Sequence, residues 1–76
     1  MHTVDITADH VRAARHMLHW KQSDLAERAG VSRVTISDLE SGRLDPRVST
    51  MRAIKMVFER EGIELTDNGV QRRRSA

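Results

Sequence analysis

The chain has 76 residues, with 13 Lys and Arg against 11 Asp and Glu for a net charge of +2, and it has room for one small core. The lack of cysteine excludes disulfides, thiolate nucleophiles and zinc–thiolate sites. No apolar run approaches the ~18 residues of a spanning helix, and His2 to His10 is too polar for a signal peptide, so a cytoplasmic protein is expected.

Val4-Asp5-Ile6 alternates as a short strand would. Thr7 is a good N-cap and Asp9 complements the positive end of the macrodipole, which predicts a helix to about His19. That helix buries Val11, Ala14 and Leu18, and Trp20 ends it. The next helical pattern, Gln22–Ala29, carries Leu25, Ala26 and Ala29 at helical spacing. Gly30 stands where the chain must turn left-handed, Val31 plugs the turn, and Ser32 is a ready N-cap. Arg33–Ser41 follows, burying Ile36, Leu39 and part of Glu40, and Gly42 closes it.

Leu44-Asp45-Pro46-Arg47 reads as a loop, because a residue before proline is pushed out of the helical region. Ser49 or Thr50 is the expected cap of a fourth helix reaching about Glu61, with Met51, Ile54, Val57 and Phe58 on its apolar stripe and Gly62 stopping it. Ile63–Thr66 alternates, Asn68-Gly69 is a strong hairpin signal, and Val70–Arg72 returns. In that pairing Thr66 faces Gln71 and Glu64 faces Arg73. The expected fold is an all-α bundle of about four helices with a short C-terminal β-hairpin. Residues 7–61 form its helical core, 62–72 the hairpin and 73–76 a basic tail, all within one domain of residues 1–76. Charge is uneven: Glu59, Glu61, Glu64 and Asp67 outweigh Lys55 and Arg60, which predicts an acidic fourth helix before the basic Arg72, Arg73 and Arg74.

Two helices joined by a glycine turn make a helix-turn-helix, whose second helix can enter a DNA major groove. A glycine turn alone is weak evidence. Here Gln22, Leu25, Ala26, Gly30-Val31-Ser32, Thr35-Ile36-Ser37, Glu40 and Gly42 stand in register, with Arg15 before them and Pro46, Thr50, Ile54 and Phe58 after. Over most of its length the chain resembles the lambda-repressor-like (Cro/cI, XRE) helix-turn-helix family. The resemblance implies a sequence-specific regulator of transcription that binds double-stranded DNA, a repressor working as a homodimer. The hairpin departs from it, since many members continue with a fifth helix.

Arg33, at the start of the second helix, can grip guanine O6 and N7. Val34, Ser37 and Asp38 share its exposed face, because Ile36 and Leu39 must point inward. Val34 suits a thymine methyl and Ser37 can donate or accept. Asp38 either accepts from cytosine N4 or stands by. The resemblance likewise makes these four positions the base readers and makes Gln22 a phosphate anchor. Lys21 replaces the Ser or Thr usual in the family, losing a cap but gaining a charge for phosphate. Ser32, Thr35, Arg43 and Arg47 complete the expected phosphate contacts, Thr35 also helping Ser32 to cap the helix. By the same resemblance, Arg15 and Glu40 form a partly buried salt bridge that holds the helix in place.

His16 and His19 share a face with Arg12, whose charge opposes a cation, so solvated histidines are the reading and no metal or cofactor is expected. No nucleophile–base pair or carboxylate pair suggests an enzyme. Met56 or Trp20 left exposed would mark a dimer surface, for which the fourth helix and the Ile63–Leu65 strand are the expected elements. Two rival readings are an antitoxin that represses its own operon and binds a toxin, and a protein-interaction module that has lost DNA binding.

Overall fold

The computed structural model describes residues 6–43 and 47–73. In chain order the elements are α1 Ala8–Met17, α2 Gln22–Ala29, α3 Arg33–Ser41, α4 Val48–Arg60, β1 Ile63–Thr66 and β2 Gly69–Arg72. One core runs through all the helices and β1, with Val11, Leu25, Ile36, Ile54, Phe58 and Ile63 fully buried. Trp20 is half-buried, its ring stacked 6.2 Å from Phe58, and the Arg28 guanidinium sits 4.3 Å over its face. Trp20 therefore belongs to the core margin rather than to a dimer surface. Val4 and Asp5 of the suggested first strand lie outside the described residues, as does the 44–46 part of the loop.

α1 begins where expected, with Thr7 Oγ1 accepting from the His10 N–H. It ends earlier than expected, at Met17. The His19 N–H donates to the His16 carbonyl and the Trp20 N–H to the Arg15 carbonyl, the double bond of a Schellman ending. The left-handed position of that ending is His19, at φ 57°. α2 and α3 close with the same pair of bonds, around Gly30 at φ 72° and Gly42 at φ 78°. The terminus of α1 leaves no mark in the sequence because the residue carrying it has a Cβ. Left-handed geometry costs a non-glycine residue about 1–2 kcal/mol, partly offset by glycine's greater freedom when unfolded. His19→Gly is thus expected to raise stability by up to about 1 kcal/mol, measured as a higher urea midpoint. A lowered midpoint would mean that the imidazole contributes more than the backbone strain removes.

Two further expectations are corrected. α4 starts at Val48, with Arg47 in the N-cap position and no side-chain cap bond. The Met51 N–H donates to the Arg47 carbonyl, which places Ser49 and Thr50 inside the first turn. Nor is α4 acidic: it carries Arg52, Lys55 and Arg60 against Glu59, and the other carboxylates lie beyond its end.

The hairpin forms in a different register, with Ile63 opposite Arg72, Glu64 opposite Gln71, Leu65 opposite Val70 and Thr66 opposite Gly69. The turn residues are Asp67 and Asn68, and Gly69, at φ 137°, opens the return strand. The shift is two residues, so every side chain keeps its face. Ile63, Leu65 and Val70 pack on the core, while Glu64, Gln71 and Arg73 share the other face. Because Ile63 is fully buried, β1 cannot offer it to a dimer partner.

Two contacts tie the hairpin to α1. His10 is buried; its Nδ1 accepts from the Thr7 N–H, so its Nε2–H donates to the Thr66 carbonyl. Arg72 donates to the Met17 carbonyl at 3.0 Å, a cation at the negative end of α1. Arg72 thus serves the fold and does not belong to a free basic tail; Arg74 lies outside the described residues.

Candidate nucleic-acid interface

The α2–α3 crossing sets the geometry of the site. Leu25 and Ala26 of α2 and Ile36 and Leu39 of α3 are buried against each other and the core. Gly30 lets the chain reverse between the two helices, and Val31 is half-buried against the core. Ser32 Oγ accepts from the Thr35 N–H at 3.1 Å and meets Thr35 Oγ1 at 2.9 Å. That cap fixes the start of α3 and, since only one of the two hydroxyls donates to the other, leaves one O–H hydrogen free at this helix end.

On the first turn of α3 Arg33 is exposed, and Val34 is 58% exposed. Ser37 and Asp38 are half-buried one turn later. Neither Arg33 nor Asp38 has an ion-pair partner among the described residues. The four expected base readers thus share one side of α3, with guanidinium, methyl, hydroxyl and carboxylate functions available for contact.

The other side of α3 is anchored through Glu40. Its carboxylate accepts from Arg15 Nε at 2.9 Å, from Arg15 Nη2 at 3.0 Å and from Gln22 Nε2 at 3.2 Å. Arg15 Nη1 also donates to the Trp20 carbonyl at 2.8 Å. The side chains are 14% exposed for Arg15 and 5% for Glu40, so the pair is desolvated and satisfied. Gln22 joins this network from the start of α2, linking the terminus of one helix to the end of the next. Arg12 also enters it: its guanidinium donates to the Glu40 carbonyl and to Asp9. Nothing local to Arg12 signals that role, since the contact spans 28 positions.

Lys21 is exposed at the N-cap of α2 with no side-chain cap bond. Asp24 Oδ2 accepts from the Lys21 N–H at 2.8 Å, placing a carboxylate against the positive helix end. Arg43 is exposed just after Gly42, its N–H donating to the Asp38 carbonyl, and Arg47 is exposed at the start of α4. Lys21, Arg43 and Arg47 are three free cations at helix termini, none ion-paired among the described residues. Away from this site, no helix among the described residues is long and apolar enough to cross a membrane.

A buried α2–turn–α3 unit with a free outer turn on α3 is the architecture of a helix-turn-helix protein. Residues 11–64 match the family model described as Helix-turn-helix, and the chain belongs to that family, in its XRE-type branch. It is 43% identical over 54 residues, covering 71% of this chain and 78% of the relative, to an "Uncharacterized HTH-type transcriptional regulator" of Methanothermobacter thermautotrophicus (strain Delta H). Among solved structures it is similar to the DNA-binding domain of the P22 C2 repressor, with a TM-score of 0.65 at 26% identity over 75% of this chain and 76% of that one.

Proposed function

We propose that this chain is a sequence-specific, double-stranded-DNA-binding regulator of transcription, a repressor that acts as a homodimer in the cytoplasm. The observation that carries the reading is the division of α3. Glu40, Ile36 and Leu39 are held from within, while Arg33 and Val34 stand exposed, Arg33 with no ion-pair partner among the described residues. A side chain such as Val34 gains nothing from water, but it gains from a thymine methyl in a major groove.

In this reading Arg33, Val34, Ser37 and Asp38 contact bases. Lys21, Gln22, Arg43 and Arg47 hold phosphates, assisted by the Ser32–Thr35 end of α3. Gln22 retains a second amide hydrogen and its carbonyl while bonded to Glu40, so one residue can both brace α3 and meet the backbone. Asp38 sets a preference for a base with an amino group in the groove, cytosine or adenine.

Selection of bound duplexes from a random pool tests the reading. The expected product is an inverted repeat whose half-sites lie ~34 Å apart, each with guanine at the Arg33 step. A pool that stays random through successive rounds would overturn it.

A further inference from the structure

α4 presents to solvent a ridge made of Val48, Arg52, Met56 and Glu59, on the side away from Ile54, Val57 and Phe58. Val48 is 71% and Met56 46% exposed, two of the three large apolar side chains exposed among the described residues. The third, Val34, belongs to the reading face of α3. Arg52 and Glu59 are exposed, and neither has an ion-pair partner among the described residues. They are seven residues apart, two turns of helix or ~10 Å along its axis, with Met56 between them.

This spacing makes the ridge complementary to itself in one arrangement. When two copies run antiparallel about a two-fold axis between positions 55 and 56, Arg52 of each copy meets Glu59 of the other. The two Met56 side chains and the stems of Lys55 close over the axis. A parallel pairing would instead set Arg52 against Arg52 and Glu59 against Glu59. The hairpin is the less suitable surface, because its core face is occupied: Ile63 is buried and Arg72 is committed to α1.

We propose that this ridge is the surface through which two copies of the chain pair, with reciprocal Arg52–Glu59 contacts around Met56. The proposal rests on the homodimer part of the function above and gives that dimer its surface and register. The contact is small. One face of α4, ~20 Å long and ~10 Å wide, offers on the order of 200 Å², well short of the roughly 800 Å² per partner of a standard interface, so the free dimer is weak.

Charge reversal tests the register without DNA. Sedimentation equilibrium of the full chain up to about 1 mM is expected to show a monomer–dimer equilibrium. R52E and E59R should each weaken it about tenfold by replacing two attractive pairs with two like-charged ones. An equimolar mixture of the two variants should recover wild-type association, because the two carboxylates on the ridge of R52E then face the two guanidinium groups on the ridge of E59R. Wild-type chains monomeric throughout would overturn the proposal. So would variants that associate as tightly as wild type, or a mixture no tighter than its components. Because no DNA is present, such failures remove this surface and leave the DNA reading to its own test.

Discussion

Glu40→Ala is expected to cost about 3–5 kcal/mol, a large part of the stability of a domain this size, which by the usual 0.05–0.15 kcal/mol per residue is on the order of 4–11 kcal/mol. The loss comes from what remains behind. Arg15 would keep its guanidinium beside the Trp20 carbonyl with no carboxylate facing it, and the Gln22 amide would lose its acceptor. A buried pair broken on one side leaves a charge that burial penalises, whereas replacing both sides with apolar groups is often neutral. The double variant Arg15→Met/Glu40→Leu is therefore expected to be more stable than Glu40→Ala. Urea midpoints of the two variants and wild type check this. A double variant as unstable as the single one would show that the network specifies the α2–α3 crossing beyond satisfying its own charges.

Arg33→Ala is expected to lower affinity for the selected site by about 1–3 kcal/mol, roughly 5- to 150-fold, the worth of one bidentate arginine–guanine contact. Stability should hardly change, because Arg33 is exposed and has no ion-pair partner among the described residues. Arg33→Lys separates geometry from charge: it keeps the cation and loses the planar fork. It should retain affinity for random duplex while losing part of the preference for the selected one, at the guanine of the Arg33 step. Titrations of fluorescent duplexes with all three proteins decide the matter. Equal losses on selected and random DNA from Arg33→Ala would move Arg33 from base reading to phosphate contact.

The parts of this fold legible in the sequence are those whose cause is local. Gly30 and Gly42 end helices because left-handed geometry suits glycine, Ser32 caps through its own hydroxyl, and the 3.6-residue period puts Ile36 and Leu39 inside. The hairpin faces follow from alternation, but its register is set by where the turn falls, and it falls on Asp67 and Asn68, neither at positive φ, instead of on Asn68-Gly69. His19 escapes a sequence reading because a histidine does the work of a glycine there. Arg47 escapes it because nothing in its side chain caps a helix. At the site, periodicity sorts the outward residues of α3. It cannot give the roles of Arg12, His10 and Arg72, since each acts across tens of residues on a backbone carbonyl that leaves no mark in sequence.

The central claim, that the free turn of α3 reads DNA, is tested most directly by the salt dependence of binding of the wild-type chain to its selected and to random duplex. The expected result is a linear fall of log K with log salt on both, with the selected duplex bound at least ~10³-fold more tightly. Salt-insensitive or undetectable binding to both would contradict it.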